Sequence, residues 1–324
     1  MEPEKHSASI KIKQAETILS YAKYFDDLSK VKEIDHVTDT TYADIAASDE
    51  KALEDGIIII ERSMGVSFST FSKLYPLCKQ AITKRLPLTQ FDENDLQYLD
   101  LSTKILLCLN GEVGSAFTIR KGLLDCDYFK DLKSELHFVE LICLRYKKSS
   151  VSWAYRREVI LKCLSKPSLL SKYNVESDPK QFVRKLFAKE SKFLAKMLNK
   201  YPRNYYAWTY KIFLFDELLT KYDLKEDIES EVRNAHDYCE RHVHDYSSFH
   251  YLQHILLSLK NKEKLTDNIK WIESVKSKFD VLYGLEKKDP NPNSETNYTK
   301  LESLMLHKRV IQKILREVYQ EKCE

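Results

Sequence analysis

Lys200-Tyr201-Pro202-Arg203-Asn204-Tyr205-Tyr206-Ala207-Trp208-Thr209-Tyr210-Lys211 decides how the rest of the chain is read. A helix running into Lys200 stops at Tyr201-Pro202, because proline cannot continue it. Asn204 is a favoured helix-capping residue, so a second helix opens after it and carries the aromatic side chain of Trp208 inward. The string recurs. Arg145-Tyr146-Lys147-Lys148-Ser149-Ser150-Val151-Ser152-Trp153-Ala154-Tyr155-Arg156-Arg157 is a second copy, and Val243-His244-Asp245-Tyr246-Ser247-Ser248-Phe249-His250-Tyr251-Leu252 a third. A weaker one runs from Leu109 to Lys121 around Phe117, and a degenerate one from Glu302 to Arg309 around Met305.

The aromatic positions Phe117, Trp153, Trp208 and Phe249, with Met305 as a possible last member, are separated by 36, 55, 41 and 56 residues. A helix pair with two tight turns takes roughly 33–45 residues. Two of the steps fit directly. The longer two need insertions, which the Pro-, Ser- and Asn-rich stretches 165–179 and 289–297 can supply. Between the copies, residues 92–109, 127–146, 178–200 and 225–242 have helical periodicity, with Pro179 placed for a first helical turn. Such pairs cannot bury their apolar faces alone. Stacking them does so, which predicts an all-α fold, an α-α superhelix or solenoid of helix-pair repeats with a crescent shape. The repeats occupy 67–324, about five of them. Residues 1–66 lack the pattern and form an N-terminal capping segment, partly irregular: Ile10 to Tyr24 reads as helical, Lys30 to Asp55 as a loop, and Gly56–Ile60 as a short buried strand or extended segment.

Composition agrees with helices. Among 324 residues there are only 6 Gly and 8 Pro, so few turns are obligatory. Charged residues make up 31% yet leave a net charge of +3, which argues against a nucleic-acid partner. No apolar run reaches the 18 residues of a transmembrane span, and Met1-Glu2-Pro3-Glu4-Lys5 does not have the layout of a secretion signal. Seven Cys with no CxxC pair, several within apolar helical stretches, fit free thiols in a reducing compartment. A cytoplasmic location is the expectation.

With its repeated capped turn and inward aromatic, the chain resembles the protein prenyltransferase α-subunit family, whose repeat reads roughly basic-Asn-Tyr-x-x-Trp-x-His/Tyr-Arg. Residues 67–324 carry the resemblance. The strings at 201–208 and 242–251 place it nearest a divergent branch of that family. The resemblance implies the α subunit of a heterodimeric protein geranylgeranyltransferase, an enzyme moving an isoprenyl group to a Cys near the C-terminus of a target protein. The partner it implies is a prenyltransferase β subunit, of the Rab geranylgeranyltransferase type. Targets would include a SNARE already carrying a farnesyl group. Zinc would reside in that β subunit and no cofactor in this chain, geranylgeranyl diphosphate being the substrate of the complex. The isolated chain would be inactive.

Carried over by position, Lys148 matches the family's diphosphate-side lysine, and Arg203, Asn204 and Tyr206 take the supporting places in the next repeat. Ser149-Ser150 replace the usual Asn-Tyr, Tyr206 stands where His is common, and Phe249 replaces Trp. Read as residues alone, Lys148 is equally a solvated turn lysine, Asn204 a helix cap, and Phe117, Trp153, Trp208 and Phe249 core anchors. His236, Cys239, His242, His244, His250 and His254 crowd into nineteen residues, and His250 and His254 would share a helix face. No Glu follows His250 directly and His242–His244 falls in a turn, so no metal site is assigned. The rival function is a non-catalytic helical-repeat scaffold that binds a protein partner.

Overall fold

The computed structural model describes residues 15–25, 28–38, 41–43, 55–83, 91–169, 178–282 and 302–319. The chain forms two compact units, Met1–Glu176 and Ser177–Glu324.

In the first unit, helical residues 15–20 lead into α1 (Ala22–Phe25) and then a three-stranded sheet, β1 (Glu33–Val37), β2 (Ile57–Ile60) and β3 (Ser63–Ser67), in the order β1-β3-β2. β2 and β3 are an antiparallel hairpin pairing Ile57 with Val66 and Ile60 with Ser63, and β1 runs parallel to β3 with Ile34 opposite Met64. The sheet corrects the expected loop over Lys30–Asp55 at residues 33–37. Ile34 is buried there, and Arg145 reaches across to donate to its carbonyl at 2.6 Å and to Asp35 Oδ1 at 2.6 Å. Pairing partners that distant in sequence leave no local signal. The Gly56–Ile60 segment is a strand, but only Ile57 and Ile58 are buried, while Ile59 and Ile60 are exposed. Gly56 has φ +73°, and a Cβ on it would lie 1.9 Å from Thr70 Oγ1, so only glycine fits at this corner.

After the sheet come α2 (Phe68–Ala81), α3 (Glu93–Leu109), α4 (Gly114–Asp125), α5 (Leu132–Arg145) and α6 (Ser150–Ser165). The second unit holds α7 (Pro179–Lys200), α8 (Tyr205–Leu214), α9 (Lys225–Arg241), α10 (Tyr246–Ser258), α11 (Lys262–Leu282) and α12 (Glu302–Tyr319). From α3 onward they pack as antiparallel neighbours, α3–α4, α5–α6, α7–α8, α9–α10 and α11–α12. The second helices of successive pairs stack within each unit: α4 on α6, α8 on α10, and α10 on α12. This is the all-α helical-repeat architecture, with a small sheet at its start. The insertion read at 289–297 lies outside the described residues, as does most of the one at 165–179, of which Pro167–Leu169 form a short 3-10 turn.

Packing explains why the pairs close. The residue before each aromatic anchor is small and buried: Ala116, Ser152, Ala207 and Ser248. Nine residues earlier, on the first helix of the pair, stand Leu107, Cys143, Leu198 and Cys239, also buried. Small residues facing the partner helix let the backbones approach. In two pairs the contact is a thiol on a hydroxyl, Cys143 Sγ to Ser152 Oγ at 3.6 Å and Cys239 Sγ to Ser248 Oγ at 3.4 Å. Burial pushes the Cys78, Cys108 and Cys239 thiols up to about 12, so they are packing groups rather than nucleophiles. In the last pair the buried inner-face residues are Leu304, His307 and Ile311, while Met305 is only half-buried, so Met305 is not the anchor.

A second pattern ties one pair to the next. Twenty residues before three of the buried tyrosines stands a buried glutamate. Tyr155 donates to Glu135 at 2.7 Å, Tyr210 to Glu190 at 2.8 Å and Tyr251 to Glu231 at 2.9 Å. A cation from the preceding pair completes two of these sites. Lys211 on α8 meets Glu231 on α9 at 2.6 Å. Arg120 on α4 is wholly buried, its Nε and Nη2 on the Glu135 carboxylate and its Nη1 on Asp100 Oδ1 at 2.8 Å. A charge this deep is tolerable only when each polar atom has a partner. Burial, reinforced by the adjacent carboxylate, drives the Tyr155 and Tyr251 hydroxyls well above their usual range, so both remain donors.

Candidate functional site

The turns that open the second helices hold the side chains singled out in the sequence. Three of these helices have a capping side chain four residues before the anchor: Ser149 accepts from Ser152 N at 3.3 Å, Asn204 from Tyr206 N at 3.1 Å and Ala207 N at 3.3 Å, and Asp245 from Ser247 N at 3.0 Å and Ser248 N at 3.3 Å. Each cap satisfies helix-end N–H groups that would otherwise be orphaned. The anchors themselves are buried: Phe117 is 5% exposed, and Trp153, Trp208 and Phe249 are 2%.

Caps also reach back to the preceding turn. Ser149 Oγ donates to the Gly111 carbonyl at 2.8 Å. Asp245 does more. Its Oδ2 accepts from the Arg203 backbone N–H at 3.2 Å and from the Trp208 indole Nε1–H at 3.2 Å, while its Oδ1 holds the start of α10. One carboxylate, 2% exposed, therefore sets the conformation of the Arg203–Tyr206 turn. The turn needs the help, because Arg203 sits at φ +62°, a left-handed conformation that costs a non-glycine residue about 1 kcal/mol.

Arg203, Asn204 and Tyr206 thus come together on one turn of the second unit. The Arg203 side chain is exposed, Asn204 is buried as the cap, and Tyr206 is half-buried with its ring edge-on to Tyr205 at 5.6 Å. Tyr205 and Tyr246, the first residues of α8 and α10, are 62% and 46% exposed. Exposed tyrosines with rigid backbones suit a protein interface. Lys148 lies at the matching turn of the first unit, exposed and one residue before the Ser149 cap.

The histidine-rich segment is used for packing and pairing. His236 Nε2 lies 2.8 Å from Asn268 Oδ1, Asn268 Nδ2 lies 2.9 Å from His307 Nε2, and His254 Nε2 pairs with Asp216 Oδ1 at 2.8 Å. Asp216 belongs to a π-helical turn, Phe215–Thr220, that follows α8. No group of three or more His, Cys, Asp or Glu that could hold a metal occurs among the described residues.

Asp245, the Glu–Tyr pairs and Arg120 were not singled out from sequence. Their signal was present at three of the anchors, Trp153, Trp208 and Phe249: a Ser, Asn or Asp four residues before, a tyrosine two after, and a glutamate twenty before that tyrosine.

Stacked helix pairs with aromatic-anchored turns define the class, an all-α helical-repeat protein. A model of the protein prenyltransferase alpha subunit repeat matches residues 187–218, from the middle of α7 through α8 to the π turn. The chain is similar to human Protein prenyltransferase alpha subunit repeat-containing protein 1, 27% identical over 216 residues, which are 66% of this chain and 52% of the human protein. It is likewise similar to the zebrafish protein of that name, 27% identical over 207 residues, 63% of this chain and 47% of the relative. A Xenopus laevis form, 1-A, is 23% identical over 296 residues, 83% of this chain and 66% of the relative. The chain spans about half the length of the human and zebrafish relatives it matches. Among the described residues no helix is long and apolar enough to cross a membrane.

Proposed function

We propose that this chain is the α subunit of a protein geranylgeranyltransferase and pairs with a zinc-containing β subunit of the Rab geranylgeranyltransferase type. The carrying observation is that the matched repeat, 187–218, includes Arg203, Asn204 and Tyr206 on a turn braced from the next repeat by Asp245. Zinc in the β subunit would supply a target thiolate by lowering the thiol pKa. The residues of this chain have a different task. A departing diphosphate carries charge that cations must offset, and Lys148 and Arg203 are exposed cations on turns of the same kind. Asn204 and Asp245 fix the backbone that presents Arg203, and the half-buried Tyr206 stands on the same turn. Tyr205 and Tyr246 are the contact residues for the β subunit. The acceptor is a protein with a Cys near its C-terminus, a SNARE already bearing a farnesyl group among them.

Co-expression with a Rab geranylgeranyltransferase β subunit tests this, followed by size-exclusion chromatography and transfer of labelled geranylgeranyl diphosphate to a C-terminal-Cys protein. A 1:1 complex whose transfer rate drops at least tenfold in Lys148→Ala supports the proposal. A complex inert toward every such acceptor overturns its catalytic half. Failure to bind any prenyltransferase β subunit overturns all of it and leaves a repeat scaffold.

A further inference from the structure

The turn that carries Lys148 is held from two sides. Its backbone closes between Tyr146 and Ser149, the Ser149 N–H donating to the Tyr146 carbonyl at 2.8 Å, so Lys147 and Lys148 take the central places. The Trp153 indole Nε1–H donates to the Lys147 carbonyl at 3.1 Å. Tyr146 lies across the preceding turn. Its hydroxyl donates to the Leu109 carbonyl at 2.7 Å, and its ring rests on Gly111, where a Cβ would come within 2.3 Å of Tyr146 Cδ2. These contacts bind one helix pair to the next, as a repeat array requires.

Strand β1, which lies outside the repeats, supplies the second side. Arg145, the last residue of α5, has a side chain only 13% exposed. Its Nη1 donates to the Ile34 carbonyl and to Asp35 Oδ1, both at 2.6 Å, and its guanidinium lies 5.2 Å from the centre of the Tyr146 ring. His36 Nε2 stands 3.1 Å from the Leu109 carbonyl, the same oxygen that the Tyr146 hydroxyl reaches. Covering the first repeats needs only apolar burial, which Ile34 provides. Arg145 adds charge-assisted bonds, which fix direction as well as contact. They tie down the last residue of a helix, where fraying would otherwise begin. A lysine ammonium sits on a flexible four-carbon stem, so the backbone beneath it sets where the charge can reach.

We infer that strand β1 makes Arg145 a positioning residue for Lys148 in the transfer reaction. The inference rests on the proposed reading of Lys148 as a diphosphate-side cation. In that reaction the acceptor sulfur bonds to C1 of the isoprenyl group, the C1–oxygen bond breaks, and its electron pair leaves on the diphosphate. A cation helps only where that charge develops, and a displacement of about 1 Å can cost about 100-fold in rate. The segment before the repeats is thereby part of the site's support.

Two measurements test this: steady-state transfer by the complex with a Rab geranylgeranyltransferase β subunit, and brief trypsin digestion of the full chain alone. Arg145→Met should lower kcat about fivefold in the otherwise wild-type complex and less than about twofold on a Lys148→Ala background, because a residue acting through Lys148 has nothing left to position there. Arg145→Lys, which keeps a cationic donor, should recover most of the rate. In the free chain, trypsin should cut after Lys147 or Lys148 about tenfold faster in Arg145→Met than in wild type, with cleavage after Arg203 in the other unit unchanged. Asp35→Ala alters a side chain 82% exposed and should produce smaller changes of the same kind, even where Arg145→Met fails to fold. An equal loss of kcat on both backgrounds overturns the inference, and so does unchanged cleavage at Lys147 and Lys148. A wild-type complex without transfer instead overturns the proposed function, and the role of Arg145 falls with that of Lys148.

Discussion

Replacing Asp245 by Asn should lower stability by about 2–4 kcal/mol, although it removes one charge and changes no volume. The Asp245 Oδ1 oxygen caps α10 and an asparagine carbonyl can keep that role. The Oδ2 oxygen accepts from Arg203 N–H and Trp208 Nε1–H, both at 3.2 Å. An amide NH2 in its place turns a donor toward two donors. Each buried donor left without an acceptor costs about 1–3 kcal/mol. Asp245→Ala loses the cap as well, about 1 kcal/mol more. Against a typical total of 5–15 kcal/mol, either change is large. Urea denaturation followed by tryptophan fluorescence and by far-ultraviolet circular dichroism reads the loss as a lower midpoint at unchanged slope. Trp208 fluorescence in the native state should shift too, since its indole N–H loses a charged acceptor. A midpoint for Asp245→Asn within about 0.5 kcal/mol of wild type would refute the argument that this carboxylate braces the Arg203 turn. Equal costs for Asn and Ala would instead place its whole contribution in the Oδ2 acceptor and none in the Oδ1 cap.

Two further outcomes follow from buried groups. Arg120→Met leaves the Glu135 and Asp100 carboxylates without their shared cation and should cost about 3–5 kcal/mol; adding Glu135→Gln should recover part of that loss, and strictly additive costs in a double-mutant cycle would count against the network. His307 is buried and, with His236 nearby as a lesser cause, its pKa is pushed down to about 3. The unfolded chain therefore takes up this proton first, so stability is complete above about pH 6.5 and is lost as pH falls from there toward 3, at about 1.4 kcal/mol per pH unit. Wild type should lose about 2 kcal/mol more than His307→Asn between pH 7.5 and 5.0 in urea titrations, and parallel losses in the two proteins would remove His307 as the cause.

Helix existence was legible because 3.6-residue periodicity and capping residues act within one or two turns. Glu93–Leu109, Pro179–Lys200 and Lys225–Arg241 coincide with the stretches read from the pattern to within a residue or two. The pairing of helices was legible from the recurrence of one turn before Phe117, Trp153, Trp208 and Phe249, capped by a side chain at the last three. Met305 failed as a fifth anchor because the string around it has no aromatic or cap, and the buried positions there fall on Leu304 and His307 instead.

Other features required the tertiary structure. Strand β1 exists because β3 and Arg145 meet its backbone groups, partners about 30 and 110 residues away. Asp245 caps α10 locally, but only folding brings its second oxygen to Arg203 and Trp208, 42 and 37 residues earlier. The same holds for Arg120, whose sequence neighbours say nothing of the Asp100 and Glu135 that neutralise it. By itself the sequence determined which residues form helices and where each turn begins, since those choices rest on local hydrogen bonds and apolar periodicity. Which polar groups share a proton or a charge was decided only by packing, because a buried donor finds its acceptor through space and not along the chain.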